Sequence, residues 1–93
     1  MKTIRLNRRY KLYKEHGYQV GLKFTDYYTK AGQAKVQAVE TACRKMFSNS
    51  GWFPGTSDWT SYRQPGRIDR PAVYFIMFRR ESDMTMALLK AQV

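Results

Sequence analysis

The sequence predicts a single two-layer α+β domain, and three observations carry that reading. Residues 18–25 alternate apolar and polar with period two. Val36, Val39, Cys43, Met46 and Phe47 recur at helical spacing. Residues 72–79 form the most apolar run of the chain and lead into a helix start. The 93 residues suit one domain, 1–93, and the 43% apolar content allows a modest core. No internal repeat or low-complexity segment divides the chain.

The N-terminal eight residues carry Lys2, Arg5 and Arg8 and read as a flexible basic arm that orders on contact with phosphate. Next comes an expected hairpin. In YQVGLKFT, residues 18–25, Tyr18, Val20, Leu22 and Phe24 share one face. The preceding stretch, Tyr10 to Lys14, alternates as well. A two-residue loop of His16-Gly17 pairs apolar residues with charges. A three-residue loop, Glu15-His16-Gly17, gives a continuous apolar face and puts Gly17 at the left-handed position such loops favour. That register places Arg9, Lys11, Tyr13 and Lys23 together on the outer face.

The first helix has its apolar stripe on Val36, Val39, Cys43, Met46 and Phe47, with Thr29 or Asp26 as its cap. Ser48-Asn49-Ser50-Gly51 ends it. Residues 48–71 form an irregular loop holding all three prolines, with a short strand expected over Asp58 to Arg63 and a turn at Gln64-Pro65-Gly66-Arg67. The run AVYFIMFR, residues 72–79, has the character of a strand covered on both faces. A last helix begins near Ser82, its expected N-cap, and carries Met84, Ala87, Leu88 and Ala91 on its apolar side.

The element order is therefore ββαββα: an antiparallel or mixed four-stranded sheet with both helices on one face. In layout it is a permuted ferredoxin-like sandwich, the first strand standing where the last strand of that arrangement lies. The crossover through the first helix is expected to set 18–25 and 72–79 side by side and parallel. The other sheet face is expected to stay open.

Charge gives the main functional pointer. Seventeen Lys and Arg against seven Asp and Glu leave a net charge of +10, and residues 1–30 contribute +6 of it. Self-repulsion of that size is relieved by an acidic partner. The first candidate surface is the outer sheet face with the arm: Arg5, Arg8, Arg9, Lys11, Tyr13 and Lys23. Cations there meet phosphates and the ring stacks on an unpaired base. The RNP1 pattern of RNA-recognition domains is not matched, because Ala72-Val73-Tyr74-Phe75 lacks its glycines. The second candidate surface is the loop with Trp59, Tyr62, Arg63, Arg67 and Arg70, the residue types most enriched in binding hot spots. Trp52 and Phe53 in the same loop are expected to close the core over the helix end.

Two functions follow. One is a nucleic-acid-binding module for single-stranded or structured RNA or DNA. The other is a small interaction protein docking on an acidic protein surface, of the kind a virus or mobile element encodes as an inhibitor or accessory subunit. Catalysis has little support. The single His16 is expected in a solvated turn, and the single Cys43 on the buried helix stripe. One His and one Cys do not make a zinc site, and no phosphate-cradling glycine motif is present. A small metal-dependent nuclease using Asp58 and Asp69 is the least remote enzyme. No cofactor, metal, intrachain disulfide or disulfide-linked partner is expected. No apolar run reaches membrane-spanning length, and the basic N-terminus lacks the apolar segment of a secretory signal, so a cytoplasmic setting is expected.

Overall fold

A computed structural model describes residues 1–47 and 58–92. Along them run β1 (Lys2–Arg5), α1 (Lys11–His16), β2 (Val20–Phe24), α2 (Lys30–Met46), β3 (Trp59–Gln64), β4 (Val73–Phe78) and α3 (Glu81–Ala91). The strands form one four-stranded sheet in the order β1-β2-β4-β3, with every neighbouring pair antiparallel. This is the expected α+β sandwich, broadly ferredoxin-like, with one additional short helix.

Alternation along the strands divides the sheet into two faces. Val20, Leu22, Phe24, Trp59, Ile76 and Phe78 point to one side, where Val36, Val39 and Cys43 of α2 and Met84 and Ala87 of α3 pack on them. The predicted helix stripes are thus the ones buried, with Met46, Phe47, Leu88 and Ala91 at the margin of this core. Thr29 caps α2: its hydroxyl oxygen accepts from the Gly32 backbone N–H at 2.9 Å. The cap of α3 is Arg80 rather than Ser82, which lies in the first turn with Glu81 and Asp83. The expected stop at Ser48-Asn49-Ser50-Gly51, together with Trp52 and Phe53, lies outside the described residues.

Three expectations are corrected. Tyr10 to Lys14 do not form the first strand. Lys11–His16 is a helix, and the strand paired with β2 is Lys2–Arg5, part of the stretch expected to be a flexible arm. Five alternating residues are too few to separate a strand from one and a half helical turns. Tertiary burial decides instead: Ile4 and Leu6 lie against the second sheet face, as do Tyr10 and Leu12 from the start of α1. Gly17 is left-handed as foreseen, at φ 75°, but as the cap that ends α1.

The second correction is direction. β2 and β4 are adjacent, but antiparallel, with Val20 opposite Phe78 and Phe24 opposite Tyr74. β4 returns from β3 through a hairpin and inserts between β2 and β3. The parallel pair joined across α2 is therefore β2 and β3, separated by β4. The third concerns the face opposite α2 and α3. It is not bare: Leu6, Tyr18, Phe75 and Met77 form a second, smaller core there, against which Ile4, Tyr10, Leu12 and Val73 pack. β4 is covered on both faces, as its uninterrupted apolar run implies.

Candidate nucleic-acid interface

Strand register builds the site. Residues directly opposite one another in paired strands project to the same face. Lys2 stands opposite Lys23, Lys23 opposite Phe75, and Phe75 opposite Tyr62. This single row crosses all four strands on the face away from α2 and α3. It runs from two lysines to two aromatic rings. The Tyr62 and Phe75 ring centroids lie 6.1 Å apart and tilt by 38°. Phe75 is buried and supports the row, while Tyr62 is 51% exposed and offers a ring face to solvent.

Each side of the row has a concavity. Towards the β3–β4 hairpin, Lys23, Gln64, Arg67, Arg70 and Val73 line a groove of about 380 Å³. The hairpin tip is held by reciprocal backbone bonds: the Arg67 N–H donates to the Arg70 carbonyl at 2.7 Å, and the Arg70 N–H to the Arg67 carbonyl at 3.1 Å. Ile68 and Asp69 make the turn between them, and Ile68 is fully exposed. Arg70 has Asp69 as an ion-pair partner at 3.9 Å, but both side chains are largely solvated, so the pair is weak.

On the other side, Arg9, Tyr10, Lys11 and Leu12 face Tyr62 and Met77 across a cleft of about 460 Å³, with Glu15 and His16 at its far wall. The turn that brings Arg9 there is fixed locally. Asn7 Oδ1 accepts from the Arg9 N–H at 2.9 Å, and the Asn7 carbonyl accepts from the Tyr10 N–H at 2.9 Å. Arg79 holds the far end of α1. Its Nε donates to the His16 carbonyl at 3.1 Å, its guanidinium lies 5.1 Å from the Tyr18 ring centroid, and Asp58 pairs with it at 3.6 Å.

The structure therefore regroups the sequence candidates. Lys23, Tyr62, Arg67 and Arg70, drawn from two supposedly separate surfaces, lie on one face, with Arg9 and Lys11 beside them. Four candidates fall elsewhere. Arg5 is on the helix side of β1, where it pairs with Glu81 at 3.1 Å between exposed side chains. Arg63 is exposed, but strand alternation turns it to the face opposite Tyr62. Tyr13 is exposed on α1, not on a strand beside Lys23. Trp59 is fully buried in the helix-side core opposite Phe78, which removes it as a surface anchor. Arg8 is exposed in the turn before α1. Sequence reasoning put Lys2 in a phosphate-contacting arm rather than on the sheet, and missed Phe75. Phe75 was hidden in an apolar run whose two faces differ.

No family model, curated protein or solved structure matches this chain.

The titratable groups with shifted pKa values lie on the helix side of the sheet. Burial pushes the Cys43 thiol up to about 12, and the nearby Glu40 carboxylate adds to this, so the thiolate is scarce at neutral pH. Glu40 itself is raised above the ordinary carboxylate range because α2 and β4 bury it. The Tyr74 hydroxyl, which donates to it at 3.2 Å, and Arg44, 3.7 Å away, only partly offset that burial. Tyr27 stacks on Tyr74 with centroids 4.8 Å apart. The consequence for stability has a definite sign. A carboxyl whose folded pKa is raised favours the folded state most below its unfolded pKa, and that contribution is lost as pH rises through the folded value. The melting temperature of Glu40→Gln minus that of the natural protein should therefore rise from about pH 4 to about pH 7. A difference that stays flat shows that Glu40 ionises as freely as in the unfolded chain, and one that falls shows that it ionises more readily. Among the described residues no group of three or more His, Cys, Asp or Glu side chains is placed to hold a metal ion, and no helix is long and apolar enough to cross a membrane.

Proposed function

We propose that this protein binds single-stranded nucleic acid, or unpaired segments of structured RNA or DNA, on the sheet face away from α2 and α3, and that it works by binding rather than catalysis. One observation carries the reading: the register row Lys2–Lys23–Phe75–Tyr62 puts cations at one end and an exposed ring at the other on one face, between flanking concavities that hold Arg67 and Arg70 on one side and Arg9 and Lys11 on the other. Cations supply affinity for the phosphate backbone, and a ring face accepts any base. Sheet surfaces with aromatic rings are a common way of holding unpaired strands. The reading implies a cytoplasmic setting.

The test is fluorescence anisotropy with a labelled single strand at several salt concentrations. The natural protein should bind with a slope of log affinity against log salt of about −0.7 per phosphate neutralised. Lys23→Ala with Arg67→Ala should make that slope shallower and weaken binding similarly for all sequences. Tyr62→Ala should cost about 1–3 kcal/mol of binding with little change in slope. Arg5→Ala and Arg63→Ala, off the face, should change little. No binding at low salt rules the reading out.

A second reading draws on Ile68, which stands fully exposed between Arg67 and Arg70 at the hairpin tip. An apolar tip flanked by cations suits a small inhibitor or accessory subunit, such as a virus or mobile element encodes, docking on an acidic protein. Copurification of a protein that survives nuclease treatment and is lost on Ile68→Ser favours this reading over the first.

A further inference from the structure

The cleft under α1 has a different chemistry from the groove at the hairpin. Its floor is apolar, made by buried Met77 and half-buried Leu12 and Tyr10, and the exposed Tyr62 ring forms a wall. Arg9 and Lys11 stand at its mouth, and neither is held in an ion pair among the described residues. The hairpin groove, by contrast, brings Lys23, Arg67 and Arg70 together with only Val73 and prolines as apolar lining. At about 460 Å³ the cleft lies in the range of about 300–1,000 Å³ typical of small-molecule sites. An apolar slot with an aromatic wall, lined by two cations that outnumber its one carboxylate, Glu15, is complementary to a flat ring that carries an anion.

We infer that this cleft is a discrete nucleotide site: it takes one unstacked base between Tyr62 and the α1 side, with the attached phosphate between Arg9 and Lys11. The inference rests on the nucleic-acid reading and deepens it. The sheet row and hairpin groove track the backbone, while the cleft captures a single base out of the strand. A duplex does not present such a base without unpairing, so the cleft also gives the face its preference for unpaired strands. Tyr62 belongs to both parts, since it ends the row and walls the cleft. The cleft is built rather than incidental. Arg79 ties the His16 carbonyl, the Tyr18 ring and Asp58 together behind α1, which sets how far the helix stands off the sheet.

The experiment titrates the intact protein separately with adenosine monophosphate, adenosine, inorganic phosphate and a labelled oligonucleotide, by calorimetry and by NMR shifts of backbone amides. The monophosphate is expected to bind at one site per chain, at least about tenfold more tightly than adenosine or inorganic phosphate, with shifts in α1 and β3. Lys11→Glu and Tyr62→Ala, both at exposed positions, should each weaken it about tenfold. Arg67→Ala with Arg70→Ala should weaken the oligonucleotide and leave the monophosphate unchanged. Monophosphate binding no tighter than inorganic phosphate overturns the inference, since charge alone then explains it. An oligonucleotide that binds while the monophosphate does not overturns the cleft and leaves the proposed function standing. The converse upholds the cleft as a nucleotide site and removes the strand-binding reading. If neither binds, both fall.

Discussion

Replacing Trp59 with alanine is expected to cost about 3–5 kcal/mol, the range for emptying the space of a buried large aromatic. Trp59 is fully buried opposite Phe78, in the core that joins the sheet to α2 and α3. Domains of this size have about 5–15 kcal/mol of total stability, so the loss takes a large share of it. Urea denaturation followed by circular dichroism should show a much lower midpoint with little change in slope. Tyr62, three residues along the same strand, gives the contrast. Its alanine variant should melt close to the natural protein, because the ring is half in solvent, yet it should lose binding. Equal midpoints for Trp59→Ala and the natural protein would falsify the placement of β3. The pairing of these two variants matters for interpretation. Trp59→Ala also loses binding, but by unfolding, and a binding assay alone reads that as a surface contact.

What was legible in the sequence follows the length of each signal. α2 is 17 residues long, so its stripe samples several turns and leaves no doubt about period or face. The apolar run at 72–79 announced a strand covered on both sides, and β4 is one. Short elements were not legible. Tyr10, Leu12 and Lys14 alternate, but α1 is a six-residue helix whose place is set by packing on Leu6, Phe75 and Met77. β1 hides in a basic stretch, where only Ile4 and Leu6 carry the period-two signal. The direction of β4 was within reach: a turn was visible at 64–67, and strands on either side of a tight turn run antiparallel. The site was legible as residue types, not as a place. The short strand expected over Asp58 to Arg63 is there as β3, but grouping its residues with the loop as one surface left out the alternation that sends Trp59 and Arg63 to one face and Tyr62 to the other. It also made two candidate surfaces out of what is largely one.

Gly32→Ala is expected to destabilise the protein although alanine is the better helix former. In an exposed helix interior the exchange gains about 1 kcal/mol. Here a Cβ would fall on the Asp26 carbonyl oxygen, and that oxygen is backbone, fixed from several sides. It accepts from the Thr29 N–H at 2.9 Å and the Thr29 hydroxyl at 2.8 Å, while the same hydroxyl oxygen accepts from the Gly32 N–H at 2.9 Å. Lys35 pairs with the Asp26 carboxylate at 3.7 Å. A methyl group at position 32 must therefore push the turn away from the helix and break the cap with it. Overpacking costs about 1–3 kcal/mol and the loss of a Thr cap about 1 kcal/mol. Those terms exceed the gain in propensity and leave a net loss of about 2 kcal/mol. For a domain of this size that lowers the melting temperature by about 8–16 °C. Gln33→Ala, one residue on and exposed, should stay within about 0.5 kcal/mol of the natural protein. The discriminating measurement is the pair of thermal melts. A Gly32→Ala protein that melts above the natural one means that the turn at Asp26 lies clear of α2, and that only helix propensity acts at position 32.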